Sequence, residues 1–139
     1  MPCLSSSYNR AVGPIINVGV YPSGAFDPTR PPPGPLVAYP ALLDTGASIT
    51  CISPAVVQAV GLQPIGLRSV VSATHTVPVN AYLIDLVLPF GAAGLVTPGT
   101  QVLEFAALHG ASFQILIGRD IICRGALTLT FDGHFTLCL

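Results

Sequence analysis

Residues 41–52 read ALLDTGASITCI, and the fold turns on that stretch. A short apolar strand ends abruptly in Asp44-Thr45-Gly46, an acid, a hydroxyl and a glycine. A carboxylate placed directly after a buried strand sits in low dielectric. It needs donors, such as a Thr hydroxyl and backbone N–H groups reachable where glycine removes the side chain. Taken alone, Asp-Thr-Gly is more simply an Asx-type turn joining two strands.

Working outward, residues 36–43 (LVAYPALL) predict a buried strand that delivers Asp44, with Pro40 demanding an edge or bulge because it has no N–H to give a ladder. Residues 15–20 (IINVGV) predict another strand, and the Pro/Gly-dense residues 21–35 an exposed loop. Past the Asp-Thr-Gly, a short apolar run at 49–52 precedes a helix over residues 54–60. Ser53 caps that helix, Pro54 suits its first position and Gly61 closes it. Residues 69–73 and 77–88 are β-branched runs flanking Ala73-Thr74-His75-Thr76, which predicts a long hairpin with its tip near Thr74 and His75. A Gly/Pro loop over 89–100 and strands over 101–108 and 113–117 follow, then a helical turn or two over 119–124. The chain ends in a hairpin, 127–131 and 135–139, around Asp132-Gly133. The sum is mainly β with one or two short helices, a closed or sandwich-like barrel in preference to any βαβ scheme.

Composition narrows the function. The 139 residues make one domain, too short for two full-sized lobes, and residues 1–14 read as an N-terminal segment free to be flexible. Five Arg (Arg10, Arg30, Arg68, Arg119, Arg124) are scattered singly against six acids, for a net charge of −1. No field is left to hold nucleic acid or an acidic membrane. A mean hydropathy of +0.71 raises the question of a membrane span, but Asp85, Pro89 and Gly91 interrupt the most apolar stretch, 81–96. A spanning helix needs about 20 apolar residues in a row. The start of the chain also lacks the charged-then-apolar order of a signal peptide, so the chain reads as soluble. Cys3, Cys51, Cys123 and Cys138 form no CxxC pair and no metal-like cluster with His75, His109 or His134. They read as free thiols in a reducing compartment, the cytoplasm. The absence of Lys beside abundant Ala, Gly, Pro and Arg points to a GC-rich, bacterial coding genome.

A second stretch changes the weight of the first. Asp44-Thr45-Gly46-Ala47-Ser48, preceded by two leucines, resembles the active-site signature of the aspartic proteases. Residues 115–120 (ILIGRD), with Ile117, Gly118, Arg119 and Asp120, resemble that family's second signature, apolar residues then Gly and, in retroviral-type members, Arg and Asp or Asn before a short helix. The order matches too, with a hairpin between the signatures where the family carries its flap, and a terminal strand pair where retroviral-type members form part of the dimer sheet. Pepsin-like members hold two such motifs in one chain more than twice this length. This chain has a single Asp-Thr-Gly, so it is similar to the homodimeric retropepsins, in particular to those of bacteria.

The resemblance implies a closed acid-protease-like barrel, a single lobe with a flap, and an aspartic endopeptidase. Its two Asp44 carboxylates, one from each copy, would share a proton around one water. Thr45 would tie the two loops together, Gly46 would let substrate backbone approach, and Ala47 and Ser48 would line the cleft. Gly118 would pass under the catalytic loop, and Arg119 would pair with a nearby group. Many retroviral members have an acid where Ser48 stands, which leaves the partner of Arg119 open. Pepsin-like members share that Ser. The retroviral flap tip is glycine-rich, whereas residues 71–77 (VSATHTV) contain no Gly, so the tip over Ala73, Thr74, His75 and Thr76 should be stiffer or turn differently. His75 reads as an exposed turn residue before a substrate contact. Of the other acids, Asp27, Asp85, Glu104, Asp120 and Asp132, the best second carboxylate is Asp120. In the family that position caps helix N–H groups instead.

Cys51 and Cys123 read as buried small hydrophobes, and Cys138 as the thiol placed to cross-link subunits on oxidation. No metal and no organic cofactor is implied. Partners are a second copy and a protein or peptide substrate cleaved between hydrophobic residues. The alternative keeps the fold without the chemistry, as a dimeric binding or assembly module, and the bland remainder is an ordinary barrel with a chance Asp-Thr-Gly.

Overall fold

The computed structural model describes residues 1–27, 29, 37–71, 74–105 and 111–139. Ten strands and two short helices follow one another as β1 (Cys3–Ser7), β2 (Ile15–Pro22), β3 (Ala38–Leu43), β4 (Cys51–Ile52), α1 (Pro54–Val60), β5 (Gly66–Val71), β6 (Thr76–Leu88), β7 (Leu95–Glu104), β8 (Ile115–Ile117), α2 (Arg119–Ile122), β9 (Ala126–Leu129) and β10 (His134–Cys138). Seven strands form one sheet in the order β2-β3-β8-β4-β7-β6-β5, and β2 also pairs with β6. That extra pairing closes six of them into a barrel and leaves β5 outside as the outer strand of a hairpin.

The barrel closes because its strands place large apolar side chains inward. Val18, Ile52, Ile84, Leu86, Leu88, Val102, Ile115 and Ile117 are fully buried, and they form one core with Val56 of α1 and Ile121 of α2. β9 and β10 make a second sheet with β1, in the order β1-β10-β9, and Phe135 and Leu137 of β10 reach the same core. The helix over residues 54–60 is as its caps predict. The Ser53 side chain accepts from Val56 N–H, and Gly61 takes a left-handed conformation (φ 75°) whose N–H returns to the Val57 carbonyl. Pro40 is accommodated at the point where β3 gains its second neighbour. Its carbonyl accepts from Gln114 N–H at 2.9 Å, and pairing with β8 begins one residue later.

Several expectations need correction. The segment 1–14 contains β1, which pairs with β10 along all five of its residues. Cys3 and Cys138 are joined by a disulfide within the chain and are not free thiols. That bond fits an oxidising setting and not the reducing one expected, and it leaves Cys138 no thiol for a link between subunits. Cys123 is exposed and not a core residue. β7 starts at Leu95, inside the expected loop of residues 89–100. The register shifts between Ile84 and Leu86, so Pro98 and Gly99 occupy a bulge where no ladder N–H is demanded of the proline. Leu36, residues 106–108 of the expected strand and His109 lie outside the described residues. No helix among the described residues is long and apolar enough to cross a membrane.

Candidate active site

β8 lies between β3 and β4, parallel to the first and antiparallel to the second. Because Leu43 is opposite Ile117 in the parallel pair, both signatures leave the barrel at the same end, Asp44 directly after β3 and Gly118 directly after β8. Residues 74 apart in sequence are thereby placed side by side: the Arg119 side chain donates from Nη1 to the Thr45 carbonyl at 2.8 Å. This is the partner that the sequence left open, a backbone carbonyl of the first loop and not an acid.

The first loop is held from several directions. Asp44 N–H donates to the Ile117 carbonyl at 2.9 Å, Arg119 N–H donates to the Ala47 carbonyl at 2.9 Å, and Ala47 N–H reaches the Asp44 carbonyl at 3.2 Å. Gly46 N–H donates to Asp44 Oδ1 at 2.8 Å, the local turn expected of an Asp-x-Gly. Among the described residues nothing donates to the second carboxylate oxygen. Asp44 is half-buried, while Thr45, Gly46 and Ser48 are exposed and Ala47 is intermediate.

Beneath this loop runs a polar relay that the sequence reading missed. Thr50 is fully buried. Its hydroxyl oxygen accepts from Gly118 N–H at 3.2 Å, and its proton goes to Asp120 Oδ1 at 2.9 Å. Asp120 therefore serves a threonine, and α2 has no side-chain cap, contrary to the capping role expected of it. A lone Thr in the apolar run Ile49–Ile52 was the available signal, since a buried hydroxyl must find partners. Gly118 has ordinary dihedrals (φ −88°), so its glycine is required by space: a Cβ there would lie 2.7 Å from the Ile49 carbonyl carbon.

The other acids are committed elsewhere. Asp85 is buried and accepts from Gly24, Phe26 and Gly99 N–H groups at 3.1, 3.2 and 3.0 Å, which anchors the turn after β2 and the β7 bulge. Asp27 accepts from Thr29, Glu104 accepts from Asn80, and Asp132 sits in the β9–β10 turn with Thr130 and His134. Of the chain's other acids only Asp120 belongs to the relay beneath the loop, and its Oδ1 is engaged by the Thr50 hydroxyl. Cys51, next to Thr50, is a spectator: burial first, then the charges of Asp120 and Asp44, push its thiol up to about 11.

The expected flap is the β5–β6 hairpin, paired from Gly66↔Ala81 to Val71↔Thr76. Thr74 and His75 are exposed near its tip, with Thr74 Oγ1 and His75 Nδ1 2.8 Å apart, and Thr76 begins β6. Ala73 lies outside the described residues. All of β5 beyond Gly66 is exposed, including Leu67 at 64% and Val71 at 80%.

Comparison with known proteins agrees with this geometry. A family model described as aspartyl protease matches residues 35–121, which runs from β3 through both signatures into α2. No curated protein matches the sequence. Among solved structures, a retropepsin-like aspartic protease from Rickettsia conorii superposes with a TM-score of 0.63 at 16% identity, over 97% of this chain and 89% of that one. At that identity the likeness is one of fold.

Proposed function

The chain belongs to the aspartyl protease family and has a retropepsin-like fold, and from that premise we propose that two copies assemble one endopeptidase site from their two Asp44 side chains. The observation that carries the proposal is the half-site itself: an Asp44 carboxylate held at Oδ1 by Gly46 N–H, on a loop fixed by Arg119 and underpinned by Thr50. General acid and general base are both needed, and one chain brings a single carboxylate to the loop. A twofold axis beside Thr45 and Gly46 supplies the other.

In the proposed reaction the two carboxylates share one proton and hold a water between them. One takes a proton from the attacking water while the other donates its proton to the scissile carbonyl oxygen. The tetrahedral intermediate then collapses as the leaving amine is protonated. Substrate binds extended between the exposed Gly46 loop and the β5–β6 hairpin, which acts as the flap, with main-chain hydrogen bonds supplying affinity. The exposed side chains of Leu67, Val70, Val71 and Val77 favour apolar residues around the cut.

The test is cleavage of an unfolded protein between pH 4 and 8 by the native chain and by Asp44→Asn, each with and without a statine-type transition-state mimic. The expected result is a loss of about a thousandfold or more in the variant, and inhibition of the native chain by the mimic. Cleavage that survives Asp44→Asn overturns the proposal, as does a native chain that dimerises but cleaves nothing.

A further inference from the structure

We propose that Arg68 is a specificity residue: its guanidinium takes an acidic side chain, Asp or Glu, in the outer part of an extended substrate, with one Arg68 at each end of the two-copy cleft. The inference rests on the protease reading of the site and adds a charge preference beyond the apolar residues around the cut.

The starting observation is which face of the sheet carries Asp44. Leu43 points into the core, so alternation sends Leu42 and Asp44 out on the other face. Leu42 is opposite Leu116, Leu116 opposite Cys51, Cys51 opposite Leu103, Leu103 opposite Ala81, and Ala81 opposite Gly66. These positions, one on each of six neighbouring strands, therefore share the face of Asp44. The core agrees from the other side, since the residues next to them, Ile117, Ile52, Val102 and Tyr82, all belong to it. The Cys51 thiol also feels the charge of Asp44, as a side chain on this face should.

The row leads to the hairpin. Two residues on from Gly66, Arg68 is opposite Val79, and further out Val70 is opposite Val77, so these four side chains stand on the Asp44 face as well. Arg68 is the one nearest the root, and its side chain turns back over Gly66. Nη1 passes 3.2 Å from where a Cβ on that glycine would stand and donates to the Leu67 carbonyl at 2.9 Å.

Three features make this guanidinium a binding group. It is exposed, and it is the only Arg, Lys, Asp or Glu between residues 66 and 84. Among the described residues no carboxylate pairs with it: Glu104, beside the hairpin root, follows the core parity of Val102 and accepts from Asn80. Finally, Nη1 makes its one bond among the described residues, which leaves the Nε and Nη2 edge to grip a carboxylate with two parallel bonds. A charge that only kept the edge strand β5 from pairing would serve on either face. This one is on the face of the site.

Gly66 and Leu42 are five strand spacings apart, about 24 Å along the curved sheet at about 4.8 Å each. Curvature and the reach of the arginine shorten that span. At about 3.3 Å per residue the acid then lies within about five residues of the cut.

The experiment walks one residue along a peptide. Peptides long enough to fill the cleft, with an apolar centre in a neutral polar frame, carry Glu, Gln or Lys at a single position, moved outward step by step. Their kcat/KM is compared for the native chain, Arg68→Gln, Arg68→Lys and Arg68→Glu, whose melting temperatures confirm folding. The native chain should cut the Glu peptide about two- to fivefold faster than the Gln peptide at one position or two neighbouring ones, the size of an exposed ion pair. High salt should remove the advantage. Arg68→Lys should keep part of it, Arg68→Gln should lose it, and Arg68→Glu should pass it to the Lys peptide. Absence of any Glu advantage, one that survives Arg68→Gln, or one equal at every position overturns the proposal.

Fluorescence anisotropy of the same peptides, dye-labelled, reads the preference without cleavage, on Asp44→Asn alone and combined with each Arg68 change. Peptides that do not bind, or bind without a Glu advantage, overturn the proposal. A native chain that cleaves nothing removes the protease reading, and the anisotropy still decides the role of Arg68.

Discussion

The two loops that leave β3 and β8 side by side are tied down by hydrogen bonds, whereas the outer half of the β5–β6 hairpin, Leu67–Val71 and Thr76–Pro78, is exposed. In the first region the backbone of Asp44, Ala47 and Arg119 is bonded between two loops far apart in sequence, and the buried Thr50 joins Gly118 to Asp120. In the second, β5 has one neighbour and is exposed from Leu67 to Val71. The contrast separates two uses of stability. The floor has its geometry before any ligand arrives, while the hairpin has apolar surface left over, which burial against a bound segment would cover. Substitutions in the floor should therefore cost folding, and substitutions in the hairpin should cost binding.

The largest expected effect is at Gly118. In Gly118→Ala the new methyl meets the backbone of Ile49, its carbonyl carbon at 2.7 Å and its oxygen at 2.9 Å, and backbone cannot rotate away. The dihedrals are ordinary, so the cost is purely steric, about 3 kcal/mol or more by denaturant unfolding. A loss under about 1 kcal/mol would mean that the floor yields and that the comparison fails.

Next is Thr50. Thr50→Val preserves shape but leaves Gly118 N–H buried without an acceptor and Asp120 without its donor, which should cost about 1–3 kcal/mol. Thr50→Ser keeps the hydroxyl and loses one methyl, so it should be the milder change. Equal costs would show that packing and not the relay matters there.

The floor was legible in part, and the reasons are local. Asp-Thr-Gly and Ile-Gly-Arg-Asp are contiguous motifs, and α1 announced itself through Ser53, Pro54 and Gly61, because caps act within one turn. What stayed hidden depends on contacts far apart in the chain. Arg119 finds Thr45 only because β3 and β8 run parallel, and Asp85 looked like a spare acid until three N–H groups converged on it. Cys3 and Cys138, read as separate thiols, face each other across the β1–β10 register, a pairing that no spacing rule reveals. β7 was shortened because Pro98 and Gly99 signal a loop, and only the opposing bulge at Asp85 makes them tolerable in a strand.

A smaller effect follows from pH. The Cys51 thiol, raised from 9.0 to about 11 chiefly by burial, stays protonated in the folded chain at a pH where it ionises in the unfolded one. A raised value means that the contribution is complete below about 9 and is lost as pH rises toward about 11. Native protein should lose stability more steeply over that window than Cys51→Val. At pH 8 iodoacetamide should label the exposed Cys123 well before Cys51. Equal labelling rates would contradict the burial of this part of the floor.

The smallest effect on folding, and the sharpest test of the contrast, is at Val71. At 80% exposure its side chain has almost no contact to lose, so Val71→Ser should change stability by no more than about 0.5 kcal/mol. If the hairpin closes on an extended substrate, the same side chain becomes buried, and full burial of a valine contributes about 1.5 kcal/mol. Removing it should then raise KM by up to about tenfold with kcat little changed. A fall in melting temperature with KM unchanged would reverse the assignment and make β5 part of the scaffold. The pair Gly118→Ala and Val71→Ser thus reads the two regions in opposite currencies, unfolding for one and substrate affinity for the other.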